Sequence, residues 1–324
     1  MPVLTYLEAV RTALAEEMAR DERVFVLGED VGAYGGAFKA TEGLQQRFGR
    51  ERVIDTPISE TAIIGAAIGA AYAGMRPIAE MQFIDFLACG YNVLTNFAAR
   101  SRYRWGAGVP LVVRGPCGGG VGGGPFHSAN PEASYLNVPG LKIVEPATAA
   151  DARDLLKAAI RDDDPVLFLE HKFLYRRIKG EVGEADDVEP LGRAAVRRAG
   201  RDLTILTFGA MLHVSLEAAD RLAGEGIDAE VVDLRTLAPL DRDTILASVA
   251  KTSKAMIVHE APRTGGIGGE IAASIAEEAF EYLDGPLVRV ASADTTVPYS
   301  PPLEAAFMPG VDGVLEKARW LAEY

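Results

Sequence analysis

The sequence is poor in cysteine and has no long hydrophobic run. Its only cysteines are Cys89 and Cys117, which are too few for a disulfide framework and too far apart for a C-x-x-C motif. The most apolar stretch, 62–73, is shorter than the roughly 20 residues that a membrane-spanning helix needs. Residues 1–10 contain neither the basic nor the apolar segment of a secretory signal. We therefore expect a cytoplasmic protein that makes no membrane contact.

Positive charge is also in deficit. The 324 residues include 33 Lys and Arg against 46 Asp and Glu, which gives a formal net charge of -13. A surplus of negative charge works against binding to phosphate backbones, so we expect no nucleic acid partner. With 48% hydrophobic and 24% charged residues, the chain has the composition of a globular protein.

The chain pattern predicts two α/β domains. Its length suits about two domains of roughly 150 residues. Short apolar runs alternate with helical patterns between residues 24 and 169, and again between residues 203 and 290. The predicted elements include helices near 86–100 and at 149–161, and strands at 142–144, 203–208, 229–234, 255–258 and 287–290. The fold class that we predict is therefore two doubly wound α/β domains. The predicted boundaries are a first domain at 1–185, a charged linker at 186–200 and a second domain at 201–324.

A carboxylate, Glu60, stands at the start of an apolar helix. Thr56 is the predicted N-cap and Pro57 the first helical residue. The helix has almost no polar face, so we expect it to be buried on all sides, with Gly65 and Gly69 allowing another backbone to approach closely. Glu60 has two interpretations: an acidic residue favoured by the helix dipole, or a buried carboxylate with a raised pKa that handles protons.

A glycine-rich loop at 115–124 ends near one of only four histidines, His127. Part of the loop matches the G-x-G-x-x-G dinucleotide pattern, but Pro125 and Pro131 argue against the helix that this pattern requires. The loop backbone is instead expected to approach a ligand closely. His127 is interpreted equally well as a surface residue or as a catalytic one. The other histidines have no zinc-binding spacing and are interpreted as structural: His171, His213 and His259.

Five segments of the chain together resemble one family. In order, they are 28–31 (Gly-Glu-Asp-Val), 55–60 (Asp-Thr-Pro-Ile-Ser-Glu), 79–83 (Ala-Glu-Met-Gln-Phe), the glycine loop with 126–128 (Phe-His-Ser), and 231–239. The chain resembles the β subunit of the thiamine-diphosphate-dependent 2-oxoacid dehydrogenases along essentially its whole length. The resemblance implies a pyrimidine-binding first domain and a second domain like the transketolase C-terminal domain.

The resemblance also implies roles for single residues. In the family, a carboxylate hydrogen-bonds the aminopyrimidine of thiamine and favours the imino tautomer that deprotonates the thiazolium C2 carbon, and here Glu60 takes that role. His127 resembles the histidine that assists acyl transfer to a lipoyl group. The implied contacts with the cofactor are Glu29, Ile58, Ser59, Glu60, Gln82 and Phe86. The implied contacts with the substrate are Phe83, Gly122, Gly123 and Gly124.

No Gly-Asp-Gly motif occurs in the sequence, although related enzymes use one to hold the diphosphate through Mg²⁺. The resemblance implies that an α subunit holds the diphosphate and Mg²⁺, in a tetramer of two α and two β chains. The turn with Asp162 and Asp164 resembles a segment that holds a structural potassium ion in some members. A solvated acidic turn is the alternative interpretation.

The function that we expect is oxidative decarboxylation of a branched-chain 2-oxoacid, as in branched-chain amino acid degradation, with acyl transfer to a lipoyl-bearing dihydrolipoyl acyltransferase. Residues 126–132 favour the branched-chain substrate over pyruvate, which is the alternative. A non-catalytic assembly subunit that docks the acyltransferase core is a rival from another class, against which Glu60 argues. A free-standing transketolase-like enzyme is disfavoured by the missing diphosphate motif.

Overall fold

Packing among the residues divides the chain into two compact units. A computed structural model describes residues 1–183 and 188–324, so the predicted junction between residues 185 and 186 lies outside the described residues. The first unit comprises Met1–Cys117 and Ser134–Leu191, and the second comprises Gly118–Ala133 and Gly192–Tyr324. The segment with the glycine loop therefore packs with the carboxyl-terminal unit.

Strands and helices alternate along most of the chain. The strands are β1 (Val3–Thr5), β2 (Val24–Gly28), β3 (Val53–Asp55), β4 (Arg76–Glu80), β5 (Val112–Cys117), β6 (Lys142–Val144), β7 (Val166–His171), β8 (Lys179–Glu181), β9 (Ala195–Arg198), β10 (Leu203–Thr207), β11 (Ala229–Asp233), β12 (Thr236–Ala238), β13 (Ala255–Pro262) and β14 (Val288–Ser292). The α-helices are α1 (Tyr6–Arg20), α2 (Leu44–Phe48), α3 (Glu60–Tyr72), α4 (Ser101–Trp105), α5 (Glu132–Tyr135), α6 (Ala149–Arg161), α7 (Met211–Gly224), α8 (Arg242–Thr252), α9 (Ile267–Glu278), α10 (Pro301–Phe307) and α11 (Val311–Ala322). Helical segments of other types are Ile84–Gly90, Gly124–Phe126 and Phe280–Tyr282 (3₁₀) and Val93–Ala99 (π).

Six parallel strands form the sheet of the first unit, in the order β6-β7-β5-β4-β2-β3. β2, β5 and β7 are buried at every position, as expected for parallel strands with both faces covered. Helices α1 and α6 pack against each other, and β1 pairs with β8 as an antiparallel ribbon. The unit is the parallel α/β domain that the sequence predicts.

Five strands form the sheet of the second unit, in the order β14-β13-β10-β11-β9. The four strands predicted from apolar runs, β10, β11, β13 and β14, pair in parallel. β9 pairs antiparallel with β11 at the edge, although it lies in the segment that the sequence presents as a linker. The second α/β domain is thereby confirmed, with a mixed sheet.

The start and the burial of α3 differ from the prediction. The helix begins at Glu60 with Ser59 as its N-cap residue. The N–H of Thr56 donates instead to the carbonyl of Gly28 over 2.9 Å, which extends the pairing of β3 with β2 and keeps Thr56 out of the helix. Only one face of α3 is buried, and the opposite face is exposed: Ala62, Ala66, Gly69 and Tyr72. The prediction that the helix is buried on all sides is therefore wrong for this chain.

None of the helices in the described part of the chain has both the length and the apolar character that a bilayer crossing requires.

Candidate active site

Three neighbouring strands bring predicted cofactor residues to one edge of the first sheet. β2 leads directly into Glu29, β3 leads towards Glu60 at the start of α3, and β4 ends shortly before Gln82. β2 pairs in parallel with both β3 and β4, so the three carboxyl ends meet at the same edge. Parallel α/β sheets generally bind their ligands at this edge.

Two carboxylates, Glu29 and Glu60, lie close together there. Glu29 is only 7% exposed, and Glu60 is half-buried at the first position of α3. Burial raises the pKa of Glu29 above its usual range, and the negative charges of Glu60 and Asp30 raise this pKa further. Two interacting carboxyl groups therefore lie at this edge of the sheet.

The backbone just before α3 is uncovered beside this pair. Ile58 is 83% exposed, which is unusual for a large apolar side chain next to a buried carboxylate. Ser59 makes no capping hydrogen bond with its side chain. The start of the helix therefore offers an apolar side chain and backbone N–H groups to a bound molecule.

Gln82 and two phenylalanines form another part of the edge. The Gln82 amide donates from Nε2 to Asp30 Oδ2 over 3.3 Å. The rings of Phe83 and Phe86 meet edge to face with their centroids 6.5 Å apart, and Phe83 also meets the ring of Phe38 at 5.5 Å. Phe83 and Phe86 thus make one half-buried aromatic wall.

The glycine loop and His127 belong to the second unit. Pro125 lies in a three-residue 3₁₀ turn, Gly124–Phe126, and His127 ends this turn. No α-helix begins at the loop glycines, as Pro125 and Pro131 predict. His127 is half-buried, whereas Phe126 is exposed.

Comparisons with known proteins match both halves of the chain. Residues 3–177 match the model of the transketolase pyrimidine binding domain, and residues 192–314 match that of the transketolase C-terminal domain. The chain is 52% identical over 329 residues to the 2-oxoisovalerate dehydrogenase subunit beta of Bacillus subtilis, with 100% of each chain covered. It is 47% identical over 326 residues to the pyruvate dehydrogenase E1 component subunit beta of the same organism, again with 100% of each covered.

The chain belongs to the transketolase-like family of 2-oxoacid dehydrogenase β subunits. The resemblance drawn from its five segments is thereby confirmed. It is also similar to a solved structure described as a split gene transketolase, an inactive β4 tetramer, with a TM-score of 0.81 and 25% identity over 99% of this chain and 98% of that one. The residues matched to the pyrimidine binding domain include every predicted cofactor residue at the edge of the first sheet.

The turn predicted to hold potassium lies elsewhere. Asp162 and Asp164 follow α6 and precede β7, at the amino end of the strands. Arg76 donates from Nη1 to the carbonyls of Ile160 (3.0 Å) and Asp162 (2.9 Å). Lys142 pairs with Asp162 at 2.5 Å, and Arg102 bonds Asp164 at 2.6 Å. These cationic contacts do not fit a potassium ion held by the same carbonyls.

Among the residues that the structure describes, no group of three or more His, Cys, Asp and Glu side chains could hold a metal ion.

A buried ion cluster under the candidate site was not predicted from the sequence. Arg114, on β5, is 1% exposed and pairs with Glu80 on β4. It also donates to both oxygens of Glu170 on β7, each over 2.5 Å, and the Tyr175 hydroxyl donates to Glu170 over 2.6 Å. The signal in the sequence is a charged residue inside each of three apolar strands, because buried charges are normally paired.

Burial raises the pKa of Glu80, although the Arg114 charge opposes this shift. The cluster ties three adjacent strands together directly below their carboxyl ends. We therefore interpret it as support for the edge that carries Glu29 and Gln82.

Proposed function

We propose that this chain is the catalytic β subunit of a 2-oxoacid dehydrogenase that acts on a branched-chain 2-oxoacid. The substrate carboxylate leaves as CO₂, and the lipoyl disulfide of an acyltransferase is reduced as it accepts the acyl group as a thioester. The observation that carries the proposal is the pair of carboxylates, Glu29 and Glu60, beside the exposed Ile58 at the edge of a pyrimidine-binding domain.

The residues at this edge fit thiamine diphosphate. When bound, this cofactor supplies a carbon nucleophile at its thiazolium ring. We propose that the Glu60 carboxyl group would share its proton with the ring nitrogen of the aminopyrimidine and so favour the imino tautomer, which would deprotonate the thiazolium C2 carbon. Glu29, whose pKa is raised by burial and by the charge of Glu60, is proposed to lie beside it in the cofactor site. Further contacts with the cofactor are proposed for Ile58, Ser59, Gln82 and Phe86.

The substrate contacts are proposed separately for the two units. Phe83, in the aromatic wall with Phe86, suits an apolar side chain of a branched 2-oxoacid. In the second unit, backbone contacts with the substrate are proposed for Gly122, Gly123 and Gly124, of which Gly122 is exposed and Gly124 is buried. His127 is proposed to serve acyl transfer to the lipoyl group. The pyruvate dehydrogenase β subunits that also match make pyruvate the second candidate substrate. Comparing turnover of 2-oxoisovalerate and pyruvate decides between them.

A partner is proposed to complete the site. We propose a tetramer of two α and two β chains in which the α subunit holds the diphosphate and Mg²⁺. The missing Gly-Asp-Gly motif, the exposed Ile58 and the uncovered small-residue face of α3 support this arrangement. The domains are proposed to be 1–185 and 201–324, and the location the cytoplasm. A subunit that only docks the acyltransferase has no use for a carboxylate as buried as Glu29 beside the exposed Ile58.

Glu60→Gln tests the proposal in the complex with an α subunit. We expect hydrogen–deuterium exchange at thiamine C2 to slow by roughly two to four orders of magnitude, because an amide cannot hold the proton. The melting temperature should stay close to that of the wild type, since losing a dipole contact costs under about 1 kcal/mol.

Glu270→Gln is a matched control, because Glu270 is an exposed acidic residue in the first turn of α9. This variant should exchange C2 normally. Near-normal exchange in Glu60→Gln with a lowered melting temperature would instead assign Glu60 a helix-dipole role only.

A further inference from the structure

The glycine loop has a backbone conformation that gathers N–H groups. Four of its glycines have positive φ, at 118, 120, 122 and 124, with φ between 67° and 83°. They alternate with residues of other conformation, and such alternation turns successive N–H groups to one concave side, a geometry that binds anions. The loop therefore needs a negative group in its concavity.

The chain itself supplies these anions. Glu304, on α10, accepts hydrogen bonds from the N–H of Gly120 at Oε1 (2.9 Å) and from the N–H of Gly122 at Oε2 (3.0 Å). Glu260, on β13, accepts from the N–H of Gly119 (2.6 Å) and from Asn130 Nδ2 (2.8 Å). Both carboxylates are only 5% exposed. Bonds of this kind, from N–H groups to a buried carboxylate, are among the strong ones.

These contacts fix the backbone of the glycine loop at Gly119, Gly120 and Gly122. At its base, the N–H of Gly118 donates to the carbonyl of Ala129 over 3.1 Å, on the far side of His127. The loop also packs closely at Gly124, where a Cβ would lie 2.2 Å from the ring of Tyr299. The segment from Gly122 to His127 is thus short and anchored.

We propose that Glu304 is a positioning residue for His127. Its two oxygens hold the amides of Gly120 and Gly122, and the loop held in this way sets where the imidazole lies. The inference deepens the proposed function and rests on the role of His127 in acyl transfer. It also assigns the anion-binding geometry of the loop to an internal carboxylate.

The test uses Glu304→Ala and Glu304→Gln in the complex with the α subunit. Removing the acceptor should lower lipoamide turnover by about 10- to 100-fold, as expected for a misplaced catalytic group. Thiamine C2 exchange should stay within about twofold, because that step belongs to Glu60. Glu304→Gln keeps one carbonyl acceptor and should recover part of the loss. Glu316→Ala, an exposed carboxylate on α11 that pairs with Lys317, is the control and should be unchanged.

A double variant separates positioning from general stability. If Glu304 acts through His127, Glu304→Ala combined with His127→Ala should lose no more lipoamide turnover than His127→Ala alone. Additive losses would overturn the inference. Amide hydrogen exchange gives a readout independent of catalysis: Gly120 and Gly122 should exchange faster in Glu304→Ala and not in Glu316→Ala. Unchanged protection of these amides would also overturn it.

The same variants distinguish this inference from the proposed function. Unchanged lipoamide turnover in His127→Ala would overturn the catalytic role of His127, and the inference with it. Normal turnover in Glu304→Ala beside impaired turnover in His127→Ala would overturn the positioning role alone.

Discussion

At the scale of single residues, the charge of a buried side chain depends on what surrounds it. Glu132 is fully buried, and in the described part of the chain no other residue donates a hydrogen bond to either of its carboxylate oxygens. Burial raises its pKa to about 8, and the charge of Glu260 contributes in the same direction. At neutral pH the folded protein therefore holds Glu132 mainly in its neutral form, beside the carboxylate that anchors Gly119.

We expect the stability of the protein to fall as pH rises because of Glu132. In the unfolded chain the group ionises near its ordinary value of 4.5, whereas in the folded protein it ionises near 8. Between these values only the folded state holds the proton, so this contribution to stability is full below about pH 4.5 and is lost as pH rises towards 8. The slope is about 1.4 kcal/mol per pH unit.

Glu132→Gln keeps the shape of the side chain and cannot ionise. Its free energy of unfolding, measured by urea denaturation at pH 5.5, 7.0 and 8.5, should lack the pH-dependent contribution of Glu132. The stability of the variant relative to the wild type should therefore increase as pH rises. Parallel pH dependence in the two proteins would show that Glu132 is ionised in the folded state.

Of three carboxylates discussed above, Glu60 was within reach of sequence reasoning and Glu304 and Glu260 were not. Glu60 stands out because a carboxylate interrupts an apolar segment, and the resemblance of 55–60 adds its role. The contacts of Glu304 and Glu260 with the glycine loop could not be predicted, because they join residues more than 130 positions apart in the chain. Neither residue has a local pattern that distinguishes it from a surface glutamate.

At the scale of secondary structure, buried strands were the most predictable elements. β6 and α6 have the predicted bounds, 142–144 and 149–161, because continuous apolar runs and strong amphipathic periodicity identify them. The capping-box signal Thr5-x-x-Glu8 marks the start of α1. β9 has no such signal, since a short edge strand that contains Arg197 and Arg198 resembles a charged linker.

The region near residues 86–100, where the sequence predicts a helix, contains other helix types than the α-helix. The structure has a 3₁₀ segment at Ile84–Gly90 and a π segment at Val93–Ala99. Gly90 lies against α3, where a Cβ would be 2.2 Å from Ile64 Cδ1. Close packing on α3 thus accompanies the change in helix type, and a local apolar pattern does not distinguish these helix types.

The end of α6 is held by Arg76 at the start of β4. Its guanidinium satisfies the carbonyls of Ile160 and Asp162, which would otherwise lack a partner within the helix, and pairs with Asp163 at 2.5 Å. We expect Arg76→Ala to lower the free energy of unfolding by about 1–3 kcal/mol. Arg11→Ala, which removes an exposed pair with Glu42, should cost under about 1 kcal/mol.

Thermal denaturation in potassium chloride and in sodium chloride of equal ionic strength also tests the turn. The wild type should melt at the same temperature in both salts, because Arg76 already supplies the cation. Specific stabilisation of the wild type by potassium would contradict this interpretation of the turn.

At the scale of the whole molecule, the question is what this chain can do by itself. Its first unit presents a carboxylate pair, an exposed Ile58 and an aromatic wall at one sheet edge. These groups suit the pyrimidine end of thiamine diphosphate. Nothing comparable is offered to the diphosphate end: the sequence has no Gly-Asp-Gly motif, and the described residues contain no cluster of metal ligands.

We therefore expect the purified chain alone to bind thiamine diphosphate weakly and to decarboxylate no 2-oxoacid. The diphosphate and Mg²⁺ contribute much of the binding energy of such a cofactor through charge, and the chain carries a net charge of -13, which disfavours an unneutralised anion. Adding an α subunit should restore both binding and decarboxylation. Titration calorimetry of the chain alone, of an α subunit alone and of their mixture measures the difference.

The exposed face of α3 makes the same experiment informative about assembly. If a partner covers Ala62, Ala66 and Gly69, a bulky substitution such as Ala66→Trp should prevent the mixture from forming its complex. The fold of the isolated chain should stay intact, because none of the residues that the structure describes covers that face. Size-exclusion chromatography with light scattering would detect the loss. Tight cofactor binding by the chain alone would contradict the divided cofactor site. A normal complex with Ala66→Trp would contradict the proposed interface.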